Sequence, residues 1–396
     1  MGYNANGFIS DILKSFDARV TLAELGERLS ENDFDGLVNA ASLSGNKMQF
    51  KADAYSAGLF IPKPFVMPTH LDYRKSCPTD LVLPAPAAPV MTPSDMAWTS
   101  SSPVGGFGTG LKNRRYRDQY LIVKQTDGTI LEQTMSDVEL DHCGLLLRFD
   151  GSSATKFTAE RIRAVDAGWG SDGYGLFKMQ HTMNDLTFRD CFWQGSPYRV
   201  YDDAEAIINI RGKIGESASN TGSGFLIERV FGFYAYALNS GYPNMDGISV
   251  ESCYNDGVIQ DCYFAHIGDA CYDIKGQNWR LHNTVGEDAR ETYKIWGASD
   301  RHGRLVSINP GAAHFIIKVT EPAGNDFEVI EAYGDAGKPI FLFEDSASQV
   351  RVSGAIVAPQ PGQVLARCNE GGVGSSVVLP NGTKITLTNT NPVLVS

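Results

Sequence analysis

The amino-acid sequence predicts an all-β fold: a right-handed parallel β-helix, in which short strands wind into a solenoid of stacked coils, with a short helical cap or neck ahead of it. Three observations predict it. From about residue 120 onward, short β-rich apolar runs recur at a near-constant interval. The runs end in Gly, Asp or Asn, and Gly makes up 41 of the 396 residues. No helical periodicity separates them. A repeat of this kind built from strands alone marks a stacked solenoid, because one coil cannot bury its own inner face. The LxxLxL frame of a leucine-rich repeat is absent, and a propeller blade needs about 40–50 residues.

Residues 1–45 form the cap or neck. Phe8, Ile9, Ile12, Leu13 and Phe16 fall at helical spacing, and Leu22, Leu25, Leu29, Phe34 and Leu37 extend a second helical pattern. Residues 46–120 hold entry strands and loops. Ala57 to Ile61 reads as a strand ended by Pro62 and Pro64, and residues 78–106, with Pro78, Pro84, Pro86, Pro89, Pro93 and Pro103, read as loop. Gly105, Gly106, Gly108 and Gly110 precede Arg114, Arg115 and Arg117. The GxGxxG spacing and following helix of a phosphate loop are missing, so this stretch is expected to be an exposed loop.

Residues 121–380 hold the solenoid. Val138 to Ile162 spans 162 − 138 = 24 residues, and Ile162 to Leu186 spans 186 − 162 = 24. Later runs centre on Leu226, Val258, Leu281, Val306, Val329 and Val350, with longer steps into Leu226 and Val258 that predict loop insertions. Arg189-Asp190-Cys191-Phe192-Trp193 echoes Gln260-Asp261-Cys262-Tyr263-Phe264. The chain is long enough for roughly ten coils. Residues 381–396 form a C-terminal strand or tail.

The charge balance, 34 − 46 = −12, argues against a nucleic-acid partner, which needs a basic face to displace counterions. No apolar run approaches the roughly 18 residues of a spanning helix, so membrane insertion is not expected. No basic start followed by an apolar stretch opens the chain, so it carries no signal peptide. Seven cysteines, an odd number with no CxxC pair, suit neither a disulfide framework nor a zinc site, and most sit in apolar runs as small hydrophobes.

In a solenoid, residues one coil apart in sequence are neighbours about 4.8 Å apart in space. Polar residues that recur at the coil spacing therefore form outer columns. Asp246 to Asp269 is 23 residues, Asp269 to Arg290 is 21, and Asp273 to Lys294 is 21. Ile274 and Ile295 are also 21 apart and set the register, both inward. One outer column is then expected to run Asp246, Asp269, Arg290, and another Asp273, Lys294, with Ser249 or Glu251 beneath. Three clustered carboxylates need a cation or a proton, and an oxygen-only set suits Ca²⁺. Lys294 beside them fits proton abstraction if its pKa falls toward neutrality, which a metal and Arg290 would favour.

These segments resemble the pectate lyases of polysaccharide lyase family 9. Asp246 matches that family's lone Asp. Gly268-Asp269-Ala270-Cys271-Tyr272-Asp273 matches its D-D-x-x-D cluster with the second Asp replaced by Ala270. Tyr293-Lys294-Ile295-Trp296-Gly297 resembles its lysine segment. The resemblance covers residues 244–297. It implies a lyase acting on a uronic-acid polysaccharide by β-elimination, with Ca²⁺ held by Asp246, Asp269 and Asp273. Lys294 would be the base, and the metal or Arg290 would bind the substrate carboxylate. Arg301, His302 and Arg304 lie just beyond and are candidates for further sugar carboxylates.

The same residues support a second reading. Asn244-Met245-Asp246-Gly247 and Gly268-Asp269-Ala270-Cys271 resemble the N-T-D-G and G-D-D-C segments of polygalacturonase-type glycoside hydrolases, which use paired carboxylates. A C5-epimerase, which starts with the same proton removal, ranks third. A non-catalytic glycan-binding spike or adhesin is the reading of another class. A helical neck without a signal peptide is similar to phage tail spikes, which implies a homotrimer and an extracellular, secreted or virion-associated place. Trp169, Tyr174, Trp193, Tyr198, Tyr201, Phe233, Tyr234 and Tyr236 are candidates for a sugar-stacking groove.

Overall fold

Inward apolar residues one coil apart pair in register, and this pairing builds the molecule. The computed structural model describes most of residues 81–395. Residues 1–80 and the stretches 92–97, 100–111, 168–174, 196–205, 211–220 and 319–323 are the main parts outside the described residues. The expected helices of 1–45 and the strand at 57–61 fall there.

The described chain is all-β, with 61% strand, and forms a parallel β-solenoid of about 8 turns. That is fewer than the roughly ten its length suggested, because several coils divert residues into loops. A 15-stranded and an 11-stranded sheet run its length. Val138 pairs with Ile162, Cys191 with Val230, and Phe231 with Tyr263, so Cys191, Val230 and Cys262 share one inward column. All three are fully buried. Burying each such apolar side chain contributes roughly 1.5–3 kcal/mol. The echo of residues 189–193 in 260–264 is thus one position met again two coils on. Cys143, Cys191, Cys262, Cys271 and Cys368 are free and buried, as small hydrophobes should be.

One predicted step differs. Leu186 pairs with Phe157, 186 − 157 = 29 residues back, and does not stack on Ile162. The strand Leu186–Gly195 bends at Asp190 (φ 54°), so its first half packs over Phe157 and Ala159 and its second half over the strand segment containing Arg163.

The bend recurs. Asn113, Asp137, Arg161, Asp190, Arg229, Asp261 and Asn283, one per coil, all take left-handed backbone with φ between 48° and 62°. Asn and Asp tolerate this region, whereas for other residues it costs roughly 1–2 kcal/mol. The two arginines are held in it by ion pairs one coil away, Arg161 Nε to Asp137 Oδ1 and Arg229 Nε to Asp190 Oδ1, both 2.7 Å. The hydrogen bond from Arg161 is the main reason the Asp137 carboxyl lies below its usual range. The same carboxylates accept N–H groups of the proline-rich stretch: Ala87 N donates to Asp190 and Val90 N to Asp137, at 3.1 and 2.9 Å. Three residues of extended proline-rich chain span about 9 Å, close to two coil spacings of about 4.8 Å. The described part of the expected loop is therefore a strap fastened to a corner of the solenoid.

The arginines after the glycine-rich stretch are in a strand, Arg114–Arg117, paired with Gln133–Asp141. Arg115 and Arg117 are ion-paired with Glu139 and Asp141 one coil on. Stacked opposite charges thus draw this segment into the sheet, and the parallel pairing starts upstream of residue 121. At the other end, Val393–Leu394 and Lys384–Thr386 pair antiparallel with Val364–Cys368 and Ser376–Val378, covering edges left open by the last coil. Among the described residues no helix is long and apolar enough to cross a membrane.

Close coil packing also fixes Gly297. A Cβ there would lie 1.9 Å from the carbonyl oxygen of Gly276 in the coil before. Gly297→Ala is expected to lower the thermal unfolding midpoint by an amount equivalent to about 1–3 kcal/mol, because main chain must shift. An unchanged midpoint would show that the coils can part there freely.

Candidate functional site

Three neighbouring strands of the 11-stranded sheet, Asp246–Val250, Ala270–Ile274 and Glu291–Ile295, carry the candidate residues. Ile248, Tyr272 and Tyr293 lie in the core at one level, and Val250, Ile274 and Ile295 at another. Alternation turns the residues between these levels to the outer face. Ser249, Asp273 and Lys294 stand in register there, in the column that the 21-residue spacing predicts.

The other column is shifted by one residue from the expected one. Ala270 pairs with Glu291, and the Ala270 N–H donates to Asp246 Oδ1 at 2.9 Å. The column is therefore Asp246, Ala270, Glu291, while Asp269 and Arg290 precede their strands at the corner. Asp269 is still drawn in: its carboxyl binds the Lys294 ammonium on one oxygen and Arg290 Nη1, at 3.4 Å, on the other. Arg290 Nε also lies 3.3 Å from Glu291 Oε1, and Lys294 Nζ 3.8 Å from Glu291 Oε2. Lys275 holds Glu251 at 2.8 Å and reaches Asp273 at 3.5 Å.

The site thus has a fourth carboxyl, Glu291, which sequence reasoning missed. It stands one coil from Ala270, where the second Asp of the resembled motif is lacking. The signal was present: the register set by Ile274 and Ile295 also makes Ala270 and Glu291 level.

Burial decides the charges. Asp246, Asp269, Asp273 and Glu291 are each at most 6% exposed, Lys294 is 9% exposed, and the Arg290 side chain, 38% exposed, is the outermost group. Two cations do not balance four carboxyls, so protons must make up the difference. Burial, reinforced by Asp273 and Asp269, holds Asp246 well above the carboxylate range. Burial also raises Asp273, against the pull of Lys275 and Lys294. Glu291 is pushed up to about 8, first by burial and then by its carboxyl-to-carboxyl hydrogen bond with Asp269. Such a bond needs one proton, and Glu291 carries it. Oε2 of Glu291 and Oδ1 of Asp273 are buried and accept no hydrogen bond, as expected of neutral acids.

Lys294 moves opposite to expectation. Burial disfavours its ammonium, but Asp246, Asp269 and Asp273 together outweigh burial and hold it above the ordinary lysine value. Lys294 itself is the cation these carboxylates need. The oxygen-only chemistry of Asp246, Asp269 and Asp273 suits Ca²⁺, but their arrangement does not. Among the described residues no group of three or more His, Cys, Asp or Glu is placed to hold a metal ion.

Arg301, His302 and Arg304 are not brought to this cluster. They lie on Ser299–Ile308, in the 15-stranded sheet. Arg301 is exposed, whereas His302 is 1% exposed, stacked on Phe327 at 4.8 Å and hydrogen-bonded to Asn325. Arg304 is ion-paired with Glu331. Of the aromatic candidates, Trp193 is in the core, Phe233 is buried against Phe192 and Tyr263, and Tyr234 sits at a corner. Trp169, Tyr174, Tyr198, Tyr201 and Tyr236 lie outside the described residues. Comparison with known proteins returns no matching family, no similar curated protein and no similar solved structure.

Proposed function

We propose that the chain cleaves an acidic polysaccharide by acid–base hydrolysis at the carboxyl cluster, with Glu291 as general acid and Asp269 as its partner carboxylate. One observation carries this reading: a protonated Glu291 hydrogen-bonded to Asp269 in a buried site, the unlike pair of carboxyls that glycoside hydrolysis uses. Glu291 gives its proton to the glycosidic oxygen as the C–O bond to the anomeric carbon breaks. Water attacks that carbon, and Asp269 takes the water's proton. Lys294 fixes the position of Asp269.

Arg290 supplies selectivity. It lies across Glu291 and Asp269 as the exposed group, so a sugar carboxylate that draws its guanidinium away uncovers the acid. This local attraction must act against a net charge of −12. A phage-spike or secreted setting and a trimeric assembly accord with this activity.

β-Elimination is the second reading, favoured by the stacking of Lys294 on Asp273 that the lyase resemblance implies. It requires Lys294 to release its proton, and chelation separates the two readings. With the hydrolytic pair, EDTA is expected to leave cleavage of polygalacturonate or alginate unchanged. Loss of rate restored by Ca²⁺ would return the base role to Lys294 and overturn the hydrolytic assignment.

The pH dependence follows from Glu291. Activity is expected to fall as pH rises through about 8, where the acid loses its proton. A carboxyl raised in the fold binds its proton more tightly there than in the unfolded chain. Its contribution to stability is therefore full below the unfolded value of 4.5 and is lost as pH rises through about 8. Thermal midpoints measured across that window should decline. A rate still climbing above pH 9 would be the wrong limb for an acid of about 8.

A further inference from the structure

The three coils that supply the carboxyl cluster differ from the next two at a second corner of the solenoid. That corner carries Tyr234, His266, Asp288, Asn309 and Gly334, one per coil, all with positive φ. They stack in order: Ala235 pairs with Ile267, Ala265 with Glu287, and Glu287 with Ile308. Asn, Asp and Gly are the residues that tolerate this backbone. Tyr234 (φ 59°) and His266 (φ 57°) are not, and each sits there at a cost of roughly 1–3 kcal/mol. Asn309 and Gly334 stand in coils that contribute no cluster residue.

The side chains are arranged as well as strained. The rings of Tyr234 and His266 stack at 4.7 Å with an interplanar angle of 8°. His266 Nδ1 lies 3.2 Å from Asp288 Oδ2, which orients the imidazole. The column is open to solvent, with the His266 and Asp288 side chains 42% and 40% exposed. His266 precedes Asp269 by three residues and Asp288 precedes Glu291 by three, so each pair lies within about 10 Å along the chain. An oriented, exposed aromatic pair with a carboxylate beside it matches a pyranose ring, with apolar C–H edges for the rings and hydroxyls for Asp288.

We infer that Tyr234, His266 and Asp288 form a sugar-binding subsite that holds a neighbouring pyranose unit of the glycan beside the carboxyl cluster. This inference rests on the glycan reading above. Its test uses Tyr234→Asn and His266→Asn in the full chain, since Asn keeps the left-handed backbone and removes the ring. Both variants are expected to fold with thermal midpoints equal to or above that of the parent, because strain is relieved. Binding is read by the retardation of the Glu291→Gln chain in gels containing polygalacturonate or alginate, which needs no turnover. Each corner substitution, added to that chain, is expected to weaken retardation about three- to tenfold. In the cleavage-competent chain each should raise KM by a similar factor and leave kcat within about twofold.

Retardation unaffected by both substitutions, or no retardation by either polysaccharide, overturns the subsite. Retardation weakened by the substitutions without any cleavage by the parent chain supports the subsite and removes the hydrolytic reading instead.

Discussion

Glu291→Gln is expected to lower the turnover of an acidic glycan by about 10²–10⁴-fold while the solenoid stays folded. At neutral pH Glu291 carries its proton, so the amide closely matches the group it replaces in shape and charge. Its N–H can still donate to Asp269, and its oxygen can still face Arg290. What the amide cannot do is release a proton to a leaving oxygen. The substitution also removes the only change of charge at that position, so the decline in thermal midpoint between about pH 4.5 and 8 should flatten. The two effects together separate a catalytic acid from a buried structural one. A variant that keeps full turnover, or one that loses activity only because it unfolds, would contradict the role assigned to Glu291.

The largest expected effect on stability is at Tyr293. It lies between Tyr272 and Phe315 in an interior stack, with ring centroids 4.9 and 4.7 Å away and planes within 7° of parallel. Its hydroxyl lies 2.9 Å from the carbonyl oxygen of Thr284 and 3.1 Å from that of Val306, across the coil. Tyr293→Ala removes both stacking partners' contacts and leaves a cavity that closed coils cannot collapse, at a cost of about 3–5 kcal/mol. Tyr293→Phe keeps the stack and gives up only the hydroxyl, at a cost of about 1 kcal/mol. Denaturant midpoints of the three proteins measure the order. Tyr293 shares a strand with Glu291 and Lys294, so the Ala variant should lose activity along with stability and the Phe variant should keep it. Equal losses for Ala and Phe would mean that the hydroxyl, not the ring stack, joins the coils here.

The fold was legible because the solenoid repeats its inner face. Val138 over Ile162 and Ile274 over Ile295 are spacings that a reader can measure. The step to Leu186 was misread because one continuous strand changes direction at Asp190, which periodicity alone does not reveal. The role of Pro84 to Val90 could not be read either, since their partners Asp137 and Asp190 lie tens of residues away.

The site was half legible. The Asp273–Lys294 column followed from its spacing, but Asp246 was matched to Asp269 at 23 residues where the register step is 24, to Ala270. That single residue hid Glu291. It also gave Lys294 a metal as neighbour, where the fold gives it Asp269. His302 looked available because it follows an arginine in a polar stretch, yet strand alternation turns its ring onto Phe327.

The most direct test of the central claim is to follow two products at once while the purified chain acts on polygalacturonate and alginate. New reducing ends record every cleavage, and ultraviolet absorbance records the unsaturated uronate that only elimination leaves. The hydrolytic pair Glu291–Asp269 predicts reducing ends without absorbance and a rate indifferent to EDTA. Absorbance rising in step with reducing ends, lost in Lys294→Ala and kept in Glu291→Gln, would contradict it.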